Sequence, residues 1–230
     1  MALTLESLSP NPKKHNMLGT MVIDFDQWLG ILKAKVVRLG HAKSLAFAAA
    51  CCERAIPNYE VFSLEEHWGN SKILRRSLDS IWLFIAEARN NVDRSHTERL
   101  LEALNMVTPD TENFKSILTS AALDAAISIA ESLDYMRENS ANHIVTVASL
   151  ARDTVDMFLQ HAEANIDSTV NSGEAIVHHP LMVAELAKQQ TDVDVLESTD
   201  VLTSEFLARF QQGAALGGMS NLGIGPLHSP

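Results

Sequence analysis

Residues 116–138 are apolar on every side of a helix. Ile117, Leu118, Ala121, Ala122, Leu123, Ala125, Ala126, Ile127, Ile129, Ala130 and Leu133 leave no polar face. A helix of that kind belongs in the interior, with other helices around it. Its many alanines let neighbours approach closely. One residue breaks the pattern: Asp124, in the middle of the run. An ionised carboxylate among apolar neighbours is costly unless it is paired and hydrogen-bonded. The helices that cover this segment are therefore expected to bring it a cation, with Arg54, Arg75 and Arg76 as the candidates.

The rest of the chain supplies helices to do the covering. Asp24 or Asp26 can cap a first helix running to Leu39, which Gly40 ends. Leu45, Ala48, Ala49, Cys52 and Ile56 share one helical face, and Pro57-Asn58 predicts the end of that helix. Residues 58–70 then read as an irregular link. Further helices are predicted over 71–89, 95–105, 141–165, 180–198 and 201–215, with 166–179 as a polar connector. Pro180 suits a first helical turn. The sum is an all-α, compact bundle of about eight helices with an Ala-rich central helix. Residues 1–20 read as a flexible tail, 21–225 as a single domain and 226–230 as a C-terminal tail.

A length of 230 residues suits one such domain. The net charge of −11 repels phosphate backbones, and the Lys and Arg residues form no basic stripe. Nucleic acid is therefore not an expected partner. No stretch of about 20 apolar residues is present to span a membrane. The adjacent pair Cys51-Cys52 projects side chains about 100° apart on a helix and suits small apolar filling rather than a disulfide. Low cysteine use fits a cytoplasmic location. Nine histidines are present, but none stands in an HExxH or Glu-x-x-His arrangement, so no metal and no cofactor is expected.

The run Cys52-Glu53-Arg54-Ala55-Ile56-Pro57-Asn58-Tyr59-Glu60-Val61-Phe62 resembles the Cys-Glu-Arg-x-x-Pro-Asn-Tyr-x-x-Phe signature of the bacterial YjaG-like family. Arg75-Arg76-x-Leu78-Asp79-x-Ile81-Trp82, Asp124-Ala125 with Glu131 seven residues on, and Ser220-Asn221-Leu222-Gly223-Ile224 resemble later family blocks in order. The resemblance implies an all-helical fold in a bacterial cytoplasmic protein. It brings no activity, because the family is uncharacterised. Association of family genes with histidine kinases implies a link to signalling.

The candidate binding residues, or members of a buried ionic cluster, are Glu53, Arg54, Asn58, Tyr59, Arg75, Arg76, Asp79, Trp82, Asp124 and Glu131. Arg75 and Arg76 stand four and three residues before Asp79, the spacing of a helical salt bridge. Trp82, one turn on, is expected in the core. No catalytic constellation is visible. The leading expectation is a non-catalytic regulatory or interaction module, a homodimer or the binder of a protein partner. It requires a sizeable exposed apolar patch or a two-fold interface. One alternative is a small-molecule-binding protein or enzyme with a polar pocket around Arg54 and Asp124. Another is a toxin-neutralising binding protein.

Overall fold

A computed structural model describes residues 25–88, 91–163, 172–215 and 219–225. The two tails expected at 1–20 and 226–230 lie outside these residues. Among the described residues there are nine α-helices and no strand: α1 (Phe25–Leu39), α2 (His41–Glu65), α3 (Ser71–Ala86), α4 (Arg94–Met106), α5 (Thr119–Glu138), α6 (Ala141–Glu163), α7 (Ser172–His178), α8 (Pro180–Ser198) and α9 (Ser204–Gln212).

Several boundaries follow from local chemistry. Gly40 takes φ 76°, which turns the chain between α1 and α2. The Asn70 and Asp93 side chains cap α3 and α4 by accepting from Lys72 and His96 N–H. Asn139, at φ 53°, closes α5 in the left-handed conformation. His179 accepts from the Leu181 N–H and puts Pro180 in the first turn of α8. Within the connector expected at 166–179, residues 172–178 form the short α7.

The largest departure from expectation is α2. Pro57 does not end this helix; it lies inside it, and the helix continues to Glu65. A mid-helix proline removes one hydrogen bond and crowds the carbonyl four residues back, at a cost of about 3 kcal/mol. Burial beyond the proline offsets that cost. Asn58, Tyr59 and Phe62 are all fully buried, and Tyr59 donates to the Val107 carbonyl at 2.6 Å. The Arg54 carbonyl, three residues before the proline, accepts from the Asn221 N–H at 3.2 Å.

The Ala-rich helix α5 is central, packed against α2, α3, α4 and α6, and it shares the centre with α2. Helix α2 touches α1, α3, α5, α6, α8 and α9. No residue of α5 before Glu138 is fully exposed, yet one side of it is only part-buried: Ser120, Asp124, Ile127, Glu131 and Asp134. Those positions recur every three or four residues, an amphipathic spacing that the surrounding alanines conceal in the sequence.

Candidate functional site

Arg54 occupies the most polar point of the interior. Its side chain is 0% exposed, and its guanidinium is enclosed by acceptors. Nε donates to Glu185 Oε2 at 2.9 Å and Nη2 to Glu185 Oε1 at 3.0 Å, a two-pronged pairing. Nη1 donates to Asp192 Oδ2 at 3.0 Å and to the Ala50 and Ala214 carbonyls at 3.1 and 3.3 Å. Cys51 Sγ lies 3.4 Å from Nη2.

The two acids have partners of their own. Lys188 donates to Asp192 from the next turn of α8. Gln189 donates to Glu185 at 3.0 Å and to the Ala148 carbonyl at 3.1 Å, and accepts from the Trp28 indole at 3.1 Å. Arg54 and Lys188 balance Glu185 and Asp192, so the group is formally neutral. Burial raises the Asp192 carboxyl above the ordinary range, against the pull of Arg54 and Lys188. The Arg54 guanidinium is held firmly protonated: its burial is outweighed by the Glu185 and Asp192 charges. Removing one partner from such a group leaves an uncompensated buried charge, at a cost of about 3–5 kcal/mol.

Glu53 centres a second cluster on the other side of the same turn. It accepts from Arg75 through both oxygens, at 2.7 and 3.0 Å, from the Trp82 indole at 2.8 Å and from Gln211 at 2.9 Å. Arg75 also reaches Asp79 at 2.8 Å, the i,i+4 pair expected from spacing. Trp82 is buried, as expected for a core residue. Arg76 is exposed.

Asn58 and Tyr59 each tie down a loop. Asn58 donates to Asn221 Oδ1 at 2.9 Å, and Asn221 donates on to the Ala151 carbonyl at 3.0 Å. The segment 219–225 is thereby latched across α2 and α6. The Tyr59 hydroxyl also accepts from the Asn70 N–H at 3.3 Å. Gly69, at φ 83°, passes so close that a Cβ there would stand 2.3 Å from that oxygen.

The expected Asp124–arginine pair does not form. Asp124 accepts from Thr154 Oγ1 at 2.8 Å, and among the described residues no ion pair reaches it. The geometry explains why: Arg54 is turned toward α8 and Arg75 toward Glu53, while Asp124 sits on the part-buried side of α5 that meets α6. Burial, with Asp153 nearby, raises its carboxyl to about 6, the Thr154 hydrogen bond pulling the other way. Glu131, one face-repeat along, meets His143 Nδ1 at 2.7 Å, and His143 Nε2 lies 3.1 Å from Glu138.

The sequence-predicted residues thus divide among separate places. Glu53, Arg75, Asp79 and Trp82 come together; Arg54 joins residues that the sequence reading omitted; Asn58 and Tyr59 hold loops; Asp124 and Glu131 face α6. The omitted members are Glu185, Gln189 and Asp192. Their signal was available: they recur on the same helical face as Met182, Leu186, Val193 and Leu196. Polar side chains on an apolar face need interior partners.

Two clefts lie away from Arg54. One, of about 460 Å³, is lined by Thr111, Phe114, Lys115, Ser116, Ile117, Thr119, Ser120 and His161. The other, of about 160 Å³, lies where α1 gives way to α2, beside His41 and Tyr135. Both cysteines are buried; burial pushes the Cys52 thiol up to about 12 and Cys51 higher still. Among the described residues no group of three or more His, Cys, Asp or Glu is placed to hold a metal ion. No described helix is long and apolar enough to cross a membrane.

The family model described as "Protein of unknown function (DUF416)" matches residues 32–225. The uncharacterized protein YjaG of Escherichia coli K12 is 28% identical over 193 residues, covering 83% of this chain and 94% of that protein. An uncharacterized protein of Haemophilus influenzae is 24% identical over 184 residues, covering 78% and 89%. The crystal structure of a DUF416 family protein from Shewanella baltica superposes with a TM-score of 0.74 at 23% identity, covering 84% of this chain and 98% of the other. At that identity the superposition establishes the common fold.

Proposed function

The chain belongs to the DUF416 family, and from that premise we propose that it is a non-catalytic interaction module that acts by binding protein. One observation carries the reading. The Arg54 guanidinium, the obvious anchor for a small anionic ligand, is enclosed by Glu185, Asp192 and two backbone carbonyls and is 0% exposed. Its role is to bind α8 and the segment after α9 to α2. Glu53 has a matching role on the other side. What the bundle offers outward is surface. A cytoplasmic setting and a place in histidine-kinase signalling are the forms that the family resemblance gives this reading, and self-association as a homodimer is one way such a module would act.

Thermal denaturation of the full chain against a panel of metabolites, in wild type and in Glu185→Gln, tests it. The expected outcome is that no compound raises the Tm through the Arg54 centre. A compound that stabilises wild type strongly and fails on Glu185→Gln would overturn the reading in favour of a ligand pocket.

A further inference from the structure

The outer seam between α5 and α6 combines three features. Its floor is apolar and unfinished: Ile127 and Leu150 are part-buried and Met157 is 39% exposed. Among the described helices, α3 and α4 pack on α5, α1, α7 and α8 pack on α6, and α2 packs on both. The seam extends from Ser120 to Asp134, about 20 Å at the rise of an α-helix. At the Ser120 end it opens into the 460 Å³ cleft, where Phe114 and Ile117 add apolar surface, Ile117 being 45% exposed.

Its rim is acidic, and the acids differ in one respect. Glu131 has His143, Asp134 has Arg137 at 3.2 Å, and Asp153 has Arg152 at 2.8 Å. Asp124, midway along, has a threonine hydroxyl and, among the described residues, no cation. A carboxylate half-withdrawn from water and left without a counter-charge is a receptor for a positive group from outside.

Resting on the interaction-module reading, we propose that the α5–α6 seam is the docking groove for a basic amphipathic helix of a partner protein, whose apolar stripe lies along Ile127, Leu150 and Met157 and whose central Arg or Lys meets Asp124. Helices recognised in grooves present anchors at every third or fourth residue, and a helix of about 14 residues matches the length of the seam. The charge of the chain, −11 overall, steers such a partner in.

The test uses the full chain and a synthetic helical peptide of that length, with leucines at every third or fourth position and a central arginine among lysines. Its control carries glutamates in place of the basic residues. Fluorescence anisotropy is expected to show binding of the basic peptide alone, weakened about tenfold or more by Asp124→Asn and by Leu150→Glu. Asp124→Asn keeps the Thr154 hydrogen-bond acceptor and removes an unpaired charge, so it folds. Equal binding to wild type and Asp124→Asn would reduce the interaction to the overall charge and overturn the proposal, as would no binding at all. A photo-crosslinking residue in place of Leu150 or of the exposed Val37 on α1 separates the two levels in cells. Protein adducts from position 150 that map to a basic helix support both. Adducts from position 37 alone keep the interaction reading and overturn the seam; adducts from neither overturn both.

Discussion

The α2–α8 interface and the α5–α6 seam each hold carboxylates against apolar surface, and they resolve the problem in opposite ways. At α2–α8 the acids Glu185 and Asp192 surround Arg54, with Lys188 and Gln189 completing the set. At the seam Asp124 makes do with Thr154 and part of the solvent. The first arrangement is self-sufficient; the second is incomplete. The contrast teaches that a charged residue in an apolar stretch says little about function until its partners are known. The acid that stands out most in the sequence meets no cation among the described residues, and the Arg54 partners come from a helix whose acids show only as polar members of its apolar face.

The contrast can be tested by removing members of each side. The largest effect is expected at Arg54: Glu185→Ala leaves a buried guanidinium short of its main partner and should lower stability by about 3–5 kcal/mol in urea unfolding. The combined change Arg54→Met, Glu185→Leu and Asp192→Leu removes the whole group and should recover most of that loss, because apolar replacement of a buried ionic set is often neutral. If the triple variant is no more stable than the single one, the group is not the self-contained unit described.

Next comes the half of α2 beyond Pro57. Gly69→Ala combines a left-handed backbone with a Cβ that would collide with the Tyr59 hydroxyl. A loss of about 1–3 kcal/mol is expected. Tyr59→Phe should cost about 1–2 kcal/mol through the Val107 carbonyl it orphans. In the double variant the collision is relieved, so its loss should be smaller than the sum of the two.

The seam should respond in the opposite direction. The folded-state pKa of Asp124 is about 6, above its ordinary value of 3.8. Below the lower value both states carry the proton and nothing is at stake. As pH rises between the two, the unfolded chain gives up a proton that the folded chain keeps, so stability falls, and the full cost persists above the higher value. Asp124→Asn should therefore stabilise the protein by about 1 kcal/mol at neutral and alkaline pH, after allowance for partial exposure, with the gain vanishing in acid. Melting curves across that range read it directly.

The smallest effect is at His143, whose pKa is raised because its contacts with Glu131 and Glu138 outweigh its burial. That contribution is fully present below the unfolded value of 6.5 and is lost as pH rises through the higher folded value. His143→Ala should cost a few tenths of a kcal/mol in mild acid and nothing in alkali.

The helical class and the main boundaries were legible because apolar spacing, caps and glycine act locally. Pro180 starts a helix and Asn139-Ser140 ends one, as their chemistry implies. Pro57 misled for the opposite reason. Its local preference was overridden by the distant burial of Tyr59 and Phe62 and by a hydrogen bond from Asn221, over 160 residues away. The candidate site was half legible. Arg75–Asp79 follows from spacing, whereas the Arg54–Glu185 pair depends on how α8 is laid across α2, which no local pattern specifies. Asp124 stood out because the alanines around it look like core from every side; they are buried as expected, and Asp124 itself lies on the part-buried side of the helix.

Among the described residues, Asp124 is the acid of the seam that no cation meets. A carboxyl-carbon NMR titration of the full chain, with Asp124→Asn used to assign its signal, tests this most directly. An inflection near pH 6 is predicted. An inflection well below the ordinary 3.8 would mean that a positive group has reached the carboxylate, and one at 3.8 that it stands in open water; either would contradict the contrast between the two interfaces.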